Sequence, residues 1–98
     1  VAEVAFLAAA QDEYADAYLW YGRQSQQVAG RFRGAMNRLL EDIGRMPEMY
    51  ALKDVARREA LVPGFPYAVL YRVEADGSVL VVAVAHTARR PGYRRGRG

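Results

Sequence analysis

Apolar residues recur every three or four positions in the first half of the chain and every second position in the second half. Leu7, Ala10, Tyr14, Ala17 and Tyr21 form one stripe, predicting a helix from about Ala8 that ends near Gly22. Asp12, Glu13 and Asp16 fall early in it, where acids suit the positive end of the macrodipole. Ser25 is the expected N-cap of a second helix, whose stripe is Val28, Phe32, Ala35, Leu39 and Ile43, widened by Met36 and Leu40. Glu41 and Arg45 are placed as an i,i+4 ion pair, and Pro47 stops the helix soon after Met46. With so few residues between them, the helices are expected to fold back as an antiparallel hairpin.

Ahead of the first helix, roughly Ala2–Leu7 reads as a short edge strand. Beyond Asp54 the two-residue period predicts a strand over Arg57–Val62, a turn at Pro63-Gly64, and a strand over Tyr67–Val73. In the latter, Tyr67, Val69, Tyr71 and Val73 share one face and Ala68, Leu70 and Arg72 the other. Asp76-Gly77 marks a hairpin turn, after which Val79–His86 returns as the most apolar strand, which suggests a central or doubly covered position. The order strand, helix, helix, strand, strand, strand is α+β: a helical hairpin on a mainly antiparallel sheet. Residues 1–93 are read as a single domain and 94–98 as a basic, flexible C-terminal tail.

Composition narrows the chemistry. Ninety-eight residues, 52% apolar and 26% charged, suit one folded domain. With no cysteine there is neither a disulfide nor a thiolate nucleophile, and with His86 the only histidine no Cys/His zinc site can be assembled; no metal and no cofactor is expected. The longest apolar run, Val79 to Ala85, is far short of the roughly 20 residues that span a bilayer. The early acids argue against a secretory signal, so the expectation is a cytoplasmic protein with no membrane association. Net charge is +3, unevenly spread: the segment His86–Gly98 holds five arginines and no acid, leaving residues 1–85 at net −2. A cationic end of this kind suits an anionic partner, whether nucleic acid or an acidic protein surface.

The residues carrying the pattern are Leu19-Trp20-Tyr21, Gly30-Arg31-Phe32, Pro47, Phe65-Pro66-Tyr67, Tyr71-Arg72-Val73 and the run from Ala85 to Tyr93. As an ordered set, from about Val4 to Tyr93, they resemble the ParE-like branch of the RelE/ParE toxins, often labelled plasmid-stabilisation proteins. The resemblance implies the toxin of a type II toxin–antitoxin system. Its cognate antitoxin wraps a C-terminal segment around the toxin in a hetero-oligomer. In the ParE-like branch the activity is inhibition of DNA gyrase by protein contact, without chemistry of the toxin's own. In the RelE-like branch it is ribosome-dependent cleavage of mRNA, and a third alternative is a non-toxic homologue that only binds antitoxin.

For an endoribonuclease the candidate residues are His86, Arg89, Arg90, Tyr93, Arg72 and Lys53, which offer an acid–base group, cations for a phosphorane and an aromatic ring. The single lysine, Lys53, weighs against that branch, which usually carries several. For target or antitoxin binding the candidates are Arg57, Arg58, His86, Arg89, Arg90 and Tyr93. Each has a plainer structural alternative: His86 as part of a strand end, Arg57 and Arg58 as the outward face of an edge strand. Trp20, Tyr14, Tyr18 and Tyr21 form either a recognition patch or helix–sheet packing. Gly30 and Gly34, four apart, allow close backbone approach within the hairpin.

Overall fold

The computed structural model describes residues 1–88. Six elements follow in the expected order: β1 (Val4–Phe6), α1 (Ala8–Gln24), α2 (Gln26–Arg45), β2 (Arg57–Leu61), β3 (Tyr67–Val73) and β4 (Val79–His86). The sheet order is β1-β4-β3-β2. Both β3 pairings are antiparallel, while β1 lies parallel to β4 with Val4 opposite Val79. The apolar strand β4 is therefore internal, and Val79, Val81, Val82, Ala83 and Val84 are all buried.

The helical hairpin is tighter than its sequence indicates. Helix α1 runs through Gly22 to Gln24, because the Ser25 amide still donates to the Tyr21 carbonyl at 2.8 Å and the ladder is unbroken. Only Ser25 separates the helices; it is extended, and its hydroxyl accepts from the Val28 amide at 3.2 Å as an N-cap. Of the glycines open to close backbone approach, Gly22 faces the partner helix, and an added Cβ there would make only an ordinary contact, 4.0 Å from Ala29 Cβ. Gly30 and Gly34, expected to serve that purpose, have nothing within 4 Å of such an atom. A glycine inside a helix costs roughly 0.5–1 kcal/mol relative to alanine, and at these two positions no contact among the described residues offsets it.

Three further expectations are corrected. The first turn of α1 contains no acid, since the helix starts at Ala8; Asp12, Glu13 and Asp16 lie beyond the turn where the macrodipole acts. Arg45 pairs with Asp42 rather than Glu41, one residue nearer on the same face. The strand reading of Val62 also falls one residue long, although its amide still bonds the Tyr67 carbonyl at 2.9 Å across the turn.

The core lies between the hairpin and one face of the sheet. Phe32 of α2 is fully buried, its ring 5.1 Å from Tyr21, 5.2 Å from Phe65 and 5.5 Å from Tyr67. Val69 and Tyr71 of β3 meet the same cluster with Val79, Val81 and Val84 of β4, as the two-residue period requires. The register slips between Leu70 and Tyr71, which face Ala83 and Val81, so Val82 is an extra, bulged residue in β4. The bulge lies four residues before His86, the last residue of the strand.

Candidate functional site

His86 closes β4 directly opposite Tyr67, the first residue of β3, with the rings 5.2 Å apart at 81°. Its Nδ1 accepts from the Ala88 amide at 3.2 Å, and the next amide, Thr87, donates to the Pro66 carbonyl at 2.9 Å. An acceptor at Nδ1 places the proton of the neutral ring on Nε2. The half-buried ring is thus oriented by its neighbours. Arg89, Arg90 and Tyr93, the candidates that follow it, lie outside the described residues, as does the 94–98 tail.

The other basic candidates gather at the opposite end of the sheet. Tyr67 pairs with His86 and Arg72 pairs with Arg57, so five residues of β3, roughly 17 Å of strand, separate the two groups. There each cation already has a carboxylate or carbonyl. Arg72 lies 3.2 Å from Glu74, and Lys53 lies 3.7 Å from Glu59. Asp54 accepts from Arg57 Nε at 2.9 Å and from its terminal nitrogen at 2.6 Å, besides the amides of Ala56 and Arg57. Those donors, the Arg57 guanidinium first among them, hold the Asp54 carboxyl down at about 2.

Arg58 is a staple for the segment that follows α2. Its guanidinium donates to the carbonyls of Glu48 at 3.1 Å and Tyr50 at 2.7 Å, while the buried Tyr71 hydroxyl donates to Pro47. The same segment covers the outer edge of β2: the Lys53 amide donates to Arg57 and the Glu59 amide to Ala51, at 2.7 and 3.0 Å. An edge strand otherwise offers its unpaired groups to other chains.

Tyr14, Tyr18 and Tyr21 pack against the core, and burial pushes the Tyr14 and Tyr21 hydroxyls up from their ordinary range. Trp20 and Leu19 remain half exposed on the outer face of α1. Among the described residues the carboxylate that reaches across the fold is Glu13, which the helical stripe did not single out. Strand β1 is only three residues long, and its successor Leu7 makes the last edge bond, to the Val81 carbonyl. Past that point the amide of buried Val84 faces α1, and Glu13 accepts from it at 2.9 Å. Asp16, Trp20 and Tyr67 join Glu13 around the adjoining notch. The only sequence signal for this role is an acid next to the buried stripe and one turn from Ala10 and Ala17.

Comparison with known families matches residues 4–91 to the profile described as ParE toxin of type II toxin-antitoxin system, parDE. Among solved structures, a chain of the chromosomal ParDE TA system from P. aeruginosa superposes with a TM-score of 0.74 at 10% identity, covering 87% of this chain and 95% of that one. At such identity the likeness establishes the fold, a strand, two helices and three antiparallel strands. No curated protein matches the sequence. Among the described residues no helix is long and apolar enough to cross a membrane.

Proposed function

Because the chain belongs to the ParE toxin family of type II toxin–antitoxin systems, we propose that it is the toxin of such a pair, inhibiting DNA gyrase by protein contact and kept silent by a cognate antitoxin. The observation carrying contact over catalysis is the division of the candidate residues between two ends of the sheet. Cleaving RNA needs a base for the 2′-hydroxyl, an acid for the leaving oxygen and cations for the phosphorane, all converging on one phosphate. His86 and Arg72 stand too far apart along β3 to share one, and Arg72, Arg57 and Lys53 are each paired with an acid.

The surface proposed to meet the target is the end of β4, His86 with Arg89, Arg90 and Tyr93 after it. Its charge suits an acidic protein surface or protein-bound DNA. Arg57 and Arg58 are left to the fold, since a partner reaching them competes with bonds already made. The antitoxin's C-terminal segment covers the toxin in a hetero-oligomer, and both act in the cytoplasm, where gyrase and ribosomes are found.

The test is expression without antitoxin, followed by two assays on the purified chain. Gyrase-dependent DNA cleavage complexes, with no cuts in ribosome-bound mRNA, are the expected result. Cuts in mRNA alone establish the endoribonuclease instead. Neither product, with growth unaffected, removes the toxin reading and leaves a homologue that only binds antitoxin.

A further inference from the structure

A groove of about 820 Å³ runs between the outer face of α2 and the β2–β3 turn, with Tyr21 and Phe65 at its base and no acid among its described lining residues. Two arginines of α2, Arg31 and Arg38, flank it. Both are exposed, and among the described residues neither has an ion-pair partner. Seven residues apart, they share one helix face at a spacing of about 10.5 Å. Gly34 lies between them and Gly30 just before Arg31; at both, an added Cβ would meet nothing within 4 Å. The first fifteen residues of α2, from Gln26 to Leu40, carry three arginines and no acid.

We infer that this groove seats an acidic amphipathic helix of a partner protein, with carboxylates two turns apart over Arg31 and Arg38 and a small residue over the glycines. A helix repeats one face every seven residues, so its acids match the arginine spacing. An extended strand sends side chains three apart to opposite faces. The glycine floor distinguishes the occupant from nucleic acid: two bare helix positions let another backbone approach to helix-packing distance, roughly 8–10 Å between axes, and serve no purpose toward a phosphate chain. The groove sets the chemistry of the occupant. That the helix belongs to the antitoxin rests on the function proposed above.

The probe is a labelled alanine-rich helical peptide with glutamates seven residues apart, titrated against the whole chain by fluorescence anisotropy. A peptide with its glutamates on opposite faces and an oligo-dT strand serve as comparators. Binding of the first peptide is expected to weaken about tenfold in the double variant Arg31→Glu/Arg38→Glu. It is expected to recover when the peptide's glutamates become lysines, and to be unchanged in Arg33→Glu, whose side chain is outside the groove. Equal binding of the two glutamate peptides, or by the double variant, overturns the inference, as does oligo-dT binding at this groove in place of the peptide. Unchanged circular dichroism keeps the double variant interpretable. In cells, a double variant still silenced by antitoxin overturns the antitoxin assignment. A wild-type chain that never impairs growth defeats the proposed function while leaving the peptide result to stand or fall by itself.

Discussion

Glu13→Ala isolates the bond that closes the open edge of β4. The Val84 amide is nearly inaccessible, its residue 2% exposed, and Glu13 is its acceptor at 2.9 Å. Removing the carboxylate leaves a buried donor without a partner, which costs about 1–3 kcal/mol, toward the upper end because the acceptor is charged. For a domain this size each kcal/mol lowers Tm by roughly 4–8 °C. Glu13→Gln keeps a carbonyl oxygen at the same reach and should lose about half as much, since neutral bonds are roughly half as strong as charge-assisted ones. Urea denaturation of wild type and both variants gives the ordering, and hydrogen exchange at the Val84 amide gives the location. Exchange at Val84 should accelerate in Glu13→Ala more than at Val69 on the neighbouring strand. A Glu13→Ala protein as stable as wild type, with Val84 still protected, refutes the assignment. If the bond fails, α1 loses its polar tie to β4 two residues before His86, so killing should fall further than the lost stability explains.

Four other outcomes follow from the same contacts. Gly30→Ala and Gly34→Ala should each raise stability by roughly 0.5–1 kcal/mol, because helix and space both admit the methyl group; a drop in Tm would contradict it. Asp54, lowered from 3.8 to about 2, contributes stability that is present above pH 4 and lost as pH falls through 2. Asp54→Asn should therefore flatten that part of the acid-unfolding curve, and an unchanged curve counts against the Arg57 clamp. Arg58→Ala strips two carbonyls of their donor and should cost about 1–3 kcal/mol, with faster proteolysis between Met46 and Leu52 as the readout. The triple variant His86→Ala/Arg89→Ala/Arg90→Ala should fold normally and kill poorly; undiminished killing excludes that end of β4 as the contact surface.

Most of the architecture was legible because it follows from periodicity. Strands β3 and β4 fall where the two-residue alternation puts them, and Ser25 caps α2 as its hydroxyl suggests. What escaped is what depends on long-range geometry. Gly22 reads locally as a helix end, yet the helix passes through it, the Tyr21 carbonyl still accepting from the Ser25 amide beside the second helix. The acids of α1 read as dipole partners, yet Glu13 answers to an amide 71 residues away, on a strand edge left open by the shortness of β1. For the candidate site, residue type alone grouped Arg72, Lys53 and His86. Only the register, with Tyr67 against His86 and Arg72 against Arg57, separates them.

That separation bears on how the two partners proposed above share one small fold. The end of the sheet at Arg57 and Arg72 is tied down: Arg58 and Tyr71 hold the backbone of the segment after α2, that segment covers β2, and Arg57 and Arg72 each have an acid. A toxin must stay folded while its antitoxin is removed, and a closed edge there limits self-association through β2. The uncommitted charge lies elsewhere, on the α2 face at Arg31 and Arg38 and, by sequence, beyond His86. A partner that binds α2 need not cover the end of β4. Silencing then requires either that the antitoxin extend from one surface to the other or that its seat on α2 shift the β4 end through Phe32 and Tyr67, whose rings lie 5.5 Å apart. A bound α2-groove peptide that leaves the His86 ring resonances unmoved selects the first; a shift at His86 without contact selects the second.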